Sequence, residues 1–220
     1  MCGILAVYLQ NNENNIEKIQ DGYNMLKNRG PDTGSITTEQ NLIMGFRRLA
    51  IVDKTELGNQ PFTSTITGKL NKLICNGEIF NHKDLKTQYK LTCKSESDCE
   101  CILHLFETFG IDKVIKNLNG DFAFVLYSEH QQKIFFARDR IGVRPLFYGF
   151  TKDNNFAVAS YARALSDYCL DVKPVPPGWG LYDITTQKLS FYQYEFPKRN
   201  IIPWAENSTL YEIKDALEKA

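Results

Sequence analysis

A cysteine follows the initiator methionine directly, in the N-terminal sequence Met1-Cys2-Gly3. Initiator methionine is removed before small residues, so we expect Cys2 to begin the mature chain. An N-terminal cysteine combines a nucleophilic thiol with an α-amine whose pKa of about 7.7–8.0 allows it to accept the thiol proton. The alternative is that Cys2 is an inert small residue beside a strand, as structural cysteines usually are.

The remaining cysteines and the histidines show no spacing typical of a metal centre. The chain has six cysteines and three histidines, and no two cysteines form a C-x-x-C pair. We therefore expect no metal site, and we expect most of the thiols to be small buried apolar groups. The histidines, which lack a partnered serine or aspartate pattern, are expected to be structural or to lie on the surface. They are His82, His104 and His130.

Several apolar segments in the first half of the chain could position Cys2. Residues 4–9 form a short apolar run typical of a buried strand, and residues 16–26 carry apolar side chains at helical spacing. Residues 42–52 and 70–76 are β-rich runs separated by a polar loop. Cys2 is therefore expected to stand immediately before the first strand.

The second half of the chain begins with helices and continues with strands. Ser97 and Glu100 have the spacing of a capping box, which predicts the start of a helix that ends near Gly110, and a shorter helix follows from Ile111. Six strand-like runs come next, at residues 122–127, 133–138, 146–151, 156–160, 179–184 and 189–194. This order of elements predicts an α+β fold in which helices cover two sheets.

The last residues have a different character. Residues 195–207 are irregular and contain proline, so we expect a linker there. Ser208 is placed to cap a helix with Leu210, Ile213 and Leu217 on one face. This amphipathic helix comes last in the sequence, and we expect the chain to be the front part of a longer protein.

Composition excludes several classes of function. The 220 residues contain 26 Lys and Arg against 26 Asp and Glu, so the formal net charge is zero and no basic surface for nucleic acid is indicated. The sequence has no apolar run of the roughly 20 residues that a membrane span needs, and no signal peptide is apparent. We expect a cytoplasmic protein that binds neither nucleic acid nor membranes.

Several ordered sequence blocks lie between Cys2 and Leu146. They are Cys2-Gly3-Ile4, Arg29-Gly30-Pro31-Asp32, Arg48-Leu49-Ala50-Ile51-Val52-Asp53, Gln60-Pro61, Asn76-Gly77-Glu78-Ile79-Phe80-Asn81-His82, Ser97-Asp98-Cys99-Glu100, Gly120-Asp121-Phe122-Ala123-Phe124, Arg138-Asp139 through Gly142, and Pro145-Leu146. Together these blocks resemble the class II glutamine amidotransferases, specifically the glutaminase half of glutamine-dependent asparagine synthetase. The resemblance implies the αββα four-layer sandwich of the N-terminal-nucleophile hydrolases, which agrees with the predicted elements.

The resemblance also implies roles for residues of the glutaminase site. Cys2 would attack the glutamine side-chain amide, and the Asn76 side chain and the Gly77 backbone N–H would stabilise the resulting oxyanion. Arg48 would bind the α-carboxylate of glutamine and Asp98 its α-ammonium group. Glu78 would help to hold the same amino-acid end, and the backbone of Leu49, Ala50, Ile51 and Val52 would line the pocket.

Without the resemblance, the same residues have simpler interpretations. Asn76-Gly77 is typical of a hairpin turn, Arg48 could be a solvated charge on a strand, and Asp98 could be an acidic residue that stabilises the first turn of a helix. Arg138, Asp139 and Arg144 could form either a buried ion-pair network or a domain interface.

The implied activity is hydrolysis of L-glutamine through a γ-glutamyl thioester on Cys2, with the ammonia used for asparagine synthesis from aspartate. In this interpretation residues 1–195 are the glutaminase, and residues 196–220 are a linker and first helix leading to a C-terminal synthetase domain. ATP and magnesium are expected only in that synthetase domain, with no cofactor in the glutaminase, and a homodimer is compatible with the family. The alternatives are an amidotransferase for another acceptor, or a non-catalytic regulatory module that binds glutamine.

Overall fold

The computed structural model describes residues 1–10, 16–66, 68–194 and 209–218, and twelve strands in these ranges form two six-stranded sheets. The first sheet has the order β10-β8-β9-β1-β3-β2, and its strands are β1 (Gly3–Tyr8), β2 (Thr33–Glu39), β3 (Leu42–Arg48), β8 (Phe147–Thr151), β9 (Phe156–Ala159) and β10 (Cys169–Pro174). The second has the order β12-β11-β7-β6-β5-β4, with β4 (Phe62–Ile66), β5 (Lys69–Ile79), β6 (Gly120–Ser128), β7 (Lys133–Arg138), β11 (Gly178–Asp183) and β12 (Lys188–Tyr192). The strand pairs in both sheets are antiparallel.

Helices cover the outer face of each sheet. The helices are α1 (Ile16–Met25), α2 (His82–Tyr89), α3 (Glu100–Phe109), α4 (Ile111–Asn117), α5 (Arg163–Ser166) and α6 (Thr209–Glu218). Side chains of α1 and α5 pack on the first sheet, and side chains of α3 and α4 pack on the second. The resulting four layers confirm the predicted αββα sandwich.

The continuous apolar run at the start of the chain is explained by burial on both faces of β1. Ile4 and Ala6 point into the core between the two sheets, whereas Leu5 and Val7 point into the core beneath α1 and α5. A strand covered on both faces needs apolar residues at successive positions rather than at alternate ones. The same burial holds Cys2, which immediately precedes β1, at the edge of the central core.

Two predicted strands have different ends in the structure. The run predicted over residues 42–52 leaves the sheet after Arg48, whose last partner is Thr33 on β2. The run predicted over residues 70–76 continues to Ile79, because β5 pairs with β6 as far as Gly120. Asn76-Gly77 therefore lies within a strand, and its interpretation as a hairpin turn is wrong.

The predicted capping box at the start of α3 is also wrong. The Ser97 hydroxyl accepts a hydrogen bond from the N–H of Cys99 at 3.3 Å instead of from Glu100. The Glu100 carboxylate turns back to accept the N–H groups of Lys94 (2.8 Å) and Ser95 (2.7 Å). The backbone N–H groups of this loop before α3 bind the Glu100 carboxylate. The carboxylate is therefore not available for the hydrogen bond that a capping box requires.

The predicted linker over residues 195–207 and the Ser208 cap lie outside the described residues. Helix α6 is present, and its apolar residues Leu210, Ile213 and Leu217 are exposed. None of the helices in the described ranges combines the length and apolar composition that a membrane-spanning helix needs.

Candidate functional site

A small cavity of about 110 Å³ opens where the two sheets meet near the start of β1. Cys2 precedes β1, Arg48 ends the neighbouring strand β3, and Asn76 lies on β5 of the other sheet. Asp98 reaches the cavity from the loop before α3. Predicted site residues that are far apart in the chain therefore line one pocket: Cys2, Arg48, Leu49, Ile51, Val52, Asn76, Gly77, Glu78 and Asp98.

The Cys2 thiol is held against the backbone that follows β3. The Leu49 N–H donates to Cys2 Sγ at 3.4 Å, and Sγ lies 3.6 Å from the Leu49 carbonyl oxygen. Burial raises the pKa of the Cys2 thiol, and the Leu49 hydrogen bond and the positive N-terminus offset this only in part. The thiol is therefore neutral near pH 7 and needs a base before it can act as a nucleophile.

Arg29 fixes the backbone of Cys2 from the other side. Its Nε donates to the Cys2 carbonyl oxygen at 3.0 Å, and its guanidinium lies 5.2 Å from the centre of the Tyr161 ring. Arg29 belongs to the sequence block Arg29-Gly30-Pro31-Asp32, and no role was predicted for it. Its contact connects the segment between α1 and β2 to the backbone of the candidate nucleophile.

Asn76 presents an unpaired donor within the pocket. The side chain is 1% exposed, and its Nδ2 has no hydrogen-bond partner among the described residues. The preceding residue is fixed in place, because the Cys75 N–H donates to Gln60 Oε1 at 2.6 Å and Gln60 Nε2 donates back to the Cys75 carbonyl at 3.2 Å. A buried donor without a partner costs about 1–3 kcal/mol, so such groups call for a ligand or another explanation.

Glycine at position 77 is required by the neighbouring strand. A Cβ there would lie 2.3 Å from the Asp121 carbonyl oxygen and 2.6 Å from the Phe122 Cα on β6. Both of these atoms belong to the backbone of the protein itself. Close pairing of β5 and β6 is therefore the physical reason for this glycine.

Arg48 is buried and only partly satisfied by the protein. One terminal nitrogen, Nη1, donates to the Thr55 carbonyl (2.8 Å) and to Asn59 Oδ1 (2.9 Å), and Nη2 donates to the Asp53 carbonyl. Arginine has five N–H donors, so these three contacts leave two for a ligand. The alternative interpretation of Arg48 as a solvated strand charge is wrong, since the residue is 6% exposed.

Asp98 joins the end of β5 to the loop before α3. One carboxylate oxygen, Oδ2, accepts the Ile79 N–H at 2.6 Å. The residue is buried and lines the pocket. A buried carboxylate with acceptor capacity to spare can bind a cationic group.

Glu78 lies near Arg144, one of the three residues for which the sequence left an ion-pair network and a domain interface as alternatives. Arg144 Nη2 is 2.8 Å from Asp121 Oδ2 and 3.9 Å from Glu78 Oε1, and the buried Arg144 Nε has no partner among the described residues. Arg144 also lines the pocket, although it was not predicted to do so.

Arg144 lies in a loop that follows β7, and Arg138 and Asp139 bind the backbone of this loop. Arg138 Nε donates to the Arg144 carbonyl at 2.7 Å, and Asp139 Oδ1 accepts the N–H groups of Gly142 (2.7 Å) and Val143 (3.0 Å). Arg138 and Asp139 thus hold the loop that carries Arg144 in place.

The segment after Arg48 lines the pocket with three of its four predicted residues. Leu49, Ile51 and Val52 contribute, whereas Ala50 is not among the lining residues. The Ala50 N–H instead donates to Asp32 Oδ2 at 2.8 Å. This bond turns the chain away from the sheet after β3.

One group of side chains in the described part of the chain has metal-ligating chemistry. Ligand atoms of Cys93, Glu100 and His104 lie within 4.8 Å of one another. Hydrogen bonds to Glu100 and Glu107 raise the pKa of His104 to about 9, so the ring is protonated at neutral pH. In the structure this group is an ion-pair cluster, with His104 Nε2 3.3 Å from Glu100 and His104 Nδ1 3.4 Å from Glu107.

Comparisons with known proteins agree with this geometry. A family model described as a glutamine amidotransferase domain matches residues 1–190. This chain belongs to the glutamine amidotransferase domain family. Within that family it is similar to a probable glutamine-hydrolysing asparagine synthetase of Dictyostelium discoideum, with 36% identity over 229 aligned positions that cover all of this chain and 40% of the relative. It is also 38% identical to glutamine-hydrolysing asparagine synthetase 2 of Arabidopsis thaliana, over 81% of this chain and 31% of that protein.

Solved structures of amidotransferases share the fold of this glutamine amidotransferase domain. Glutamine phosphoribosylpyrophosphate amidotransferase from B. subtilis superposes with a TM-score of 0.74 at 21% identity, covering 89% of this chain and 50% of that one. This similarity confirms the predicted fold class. The amidotransferase domain spans between about a third and two fifths of the length of the asparagine synthetases that it resembles.

Proposed function

We propose that this chain hydrolyses L-glutamine to glutamate and ammonia, with Cys2 as the nucleophile. The observation that supports this most strongly is the unpaired Asn76 Nδ2 in the pocket that also holds the Cys2 thiol. Such a donor costs free energy as long as it has no partner, and it gains a strong hydrogen bond once an oxyanion forms.

The reaction proceeds in two stages. The Cys2 thiol loses its proton to its own α-amine, and the sulfur attacks the γ-carboxamide carbon of glutamine. The tetrahedral oxyanion is stabilised by Asn76 Nδ2 and the Gly77 N–H, and its collapse expels ammonia after the α-amine returns the proton to the leaving nitrogen. Water then hydrolyses the γ-glutamyl thioester, which releases glutamate and restores the thiol.

The amino-acid end of glutamine is bound by groups remote from the reacting bond. The two unused donors of Arg48 bind the α-carboxylate, and Asp98 and Glu78 bind the α-ammonium group. These charges lie in the pocket that Leu49, Ile51 and Val52 also line.

We further propose that the ammonia is used by a longer protein that makes asparagine from aspartate with ATP and magnesium. The names and the greater length of the relatives in Dictyostelium and Arabidopsis support this proposal. The ATP-dependent reaction would require a C-terminal synthetase domain, and no residue of this chain is assigned to it.

The test is glutamine hydrolysis by the purified 220-residue chain, measured as glutamate and ammonia formed in equal amounts. We expect turnover by the wild type, with intact-mass analysis showing removal of Met1, and no turnover by Cys2→Ala. Cys93→Ala is the matched control, because Cys93 is another partly buried thiol and does not line the pocket.

Two results would contradict the proposal. Steady-state hydrolysis by Cys2→Ala would exclude the covalent route, and glutamine binding without hydrolysis by the processed wild type would indicate a regulatory module. With aspartate and ATP added, this chain is expected to form no asparagine, and asparagine formation would overturn the division between glutaminase and synthetase.

A further inference from the structure

Asp53 lies where two loops of the candidate site meet. Residues 49–59 follow β3 and carry the backbone against Cys2, and residues 91–99 precede α3 and carry Asp98. The Asp53 side chain is buried between these segments, with 6% of the residue exposed.

Both carboxylate oxygens of Asp53 are occupied by protein donors. Oδ1 accepts the Thr55 N–H and the Thr55 hydroxyl, each at 2.7 Å, and Oδ2 accepts the Glu96 N–H at 3.0 Å. Burial would raise the pKa of Asp53, but these hydrogen bonds and the charge of Arg48 outweigh burial and lower it. The side chain is therefore an anion that connects the first loop to the second.

The backbone of Asp53 makes the remaining connection. Its carbonyl accepts a hydrogen bond from Arg48 Nη2, and Gly58 lies against the same guanidinium, where a Cβ would be 2.3 Å from Nη2. One residue thus contacts the candidate carboxylate-binding cation directly and holds the loop that bears the candidate ammonium-binding anion.

We propose that Asp53 is a positioning residue that sets the separation between Arg48 and Asp98. The pocket thereby selects substrates that carry both an α-carboxylate and an α-ammonium group. This inference rests on the proposed function. Asp53 acts through its neighbours, because Thr55 and Glu96 occupy its oxygens.

Asparagine at position 53 would keep the size of the side chain but not its acceptors. An amide has one acceptor oxygen, so it can serve Thr55 or Glu96 but leaves the other donor facing an NH₂ group. The Glu96 N–H would lose its anchor or the Thr55 turn would open, and the distance between Arg48 and Asp98 would no longer be fixed.

The experiment compares hydrolysis of glutamine and of glutaramic acid, which has the same amide and carboxylate but lacks the α-ammonium group. For Asp53→Asn we expect kcat/KM for glutamine to fall about tenfold, mainly through KM, while that for glutaramic acid changes little. The preference for glutamine should then fall about tenfold. Asp183→Asn is the matched control, because Asp183 also holds a turn, through the Thr186 N–H (2.8 Å), and does not line the pocket.

A double-variant cycle with Asp98→Asn tests whether Asp53 acts through Asp98. In the Asp98→Asn background, Asp53→Asn should cause little further loss of preference. Independent, additive losses of preference would overturn the proposal, as would an unchanged preference in Asp53→Asn.

A second pair of variants covers the case in which Asp53→Asn does not fold. Glu96 is exposed, so Glu96→Ala keeps the backbone donor to Asp53, whereas Glu96→Pro removes it. We expect the loss of preference for glutamine in Glu96→Pro only, and equal behaviour of the two variants would refute the role of this contact. If the processed wild type fails to hydrolyse glutamine at all, the proposed function itself is wrong. If it hydrolyses glutamine but these variants keep their preference, only the inference about Asp53 is wrong.

Discussion

Replacing Asn76 by alanine is the most direct test of the proposed oxyanion site. The amide nitrogen Nδ2 is buried and has no hydrogen-bond partner among the described residues, so its removal breaks no hydrogen bond within them. It would, however, remove one of the two donors proposed for the oxyanion. Loss of one such donor typically lowers kcat by about 10²–10³, or ~2.7–4 kcal/mol of transition-state stabilisation.

The expected pattern for Asn76→Ala is a lower kcat with little change in KM, because the donor is used most fully when negative charge develops. Steady-state ammonia release over a range of glutamine concentrations separates the two constants. Asn71→Ala is the matched control, since Asn71 is a buried asparagine of the same strand whose Nδ2 donates to Glu107 at 3.1 Å. The control should lose some stability but retain kcat.

Two outcomes for Asn76→Ala would contradict an oxyanion role for this residue. A decrease in kcat smaller than about tenfold would show that Nδ2 is not an oxyanion donor of ordinary strength. A rise in KM that accounts for the whole loss of kcat/KM would mean that Asn76 binds the ground state as strongly as the transition state.

Three further predictions concern binding, pH dependence and packing. Arg48→Lys should raise the KM for glutamine at least about tenfold with kcat largely kept, because lysine keeps the positive charge but lacks the planar guanidinium that binds a carboxylate with two hydrogen bonds. Equal effects on kcat and KM would contradict a role remote from the reacting amide. His104→Gln should lower the free energy of unfolding by about 1 kcal/mol at pH 6. Since the pKa of His104 is raised to about 9, this stabilisation is complete below the unfolded-state pKa of about 6.5 and is lost as the pH rises through 9, so urea titrations of both proteins should converge above that pH. Gly77→Ala should destabilise the protein by ~1–3 kcal/mol or more in the same assay, because the added Cβ meets the backbone of Asp121; unchanged stability would show that β5 and β6 can separate without cost.

Layers and strands were largely predictable from the sequence because they depend on patterns that neighbouring residues carry. The apolar run at residues 4–9 and the helical spacing at residues 16–26 correspond to β1 (Gly3–Tyr8) and α1 (Ile16–Met25). The ends of elements were less predictable. For example, β3 ends at Arg48, and soon after it the Ala50 N–H donates to the Asp32 carboxylate instead of to a neighbouring strand.

The residue types of the candidate site were also predictable, but only because ordered blocks of sequence matched a known family. Cys2, Asn76 and Asp98 were named in this way, and all three line the pocket. The contribution of Arg144 was missed, since its place beside Glu78 depends on a loop held by Arg138 and Asp139. No local pattern distinguishes such an arginine from one on the surface.

Hydrophobic periodicity and residue chemistry indicated an α+β order of elements and Cys2 as a candidate nucleophile, because both are properties of the chain. The four-layer sandwich and the roles of the charges that could bind an amino acid followed only from the resemblance of ordered sequence blocks to a known family. Tertiary structure alone decided how these groups are satisfied: which donors of Arg48 remain free, that Asn76 Nδ2 has no partner among the described residues, and that Asp53 reaches Glu96 across 43 positions. The physical reason is that a hydrogen bond depends on the distance and direction between two atoms. For residues far apart in the chain, only the packing of the two sheets and their loops sets that geometry.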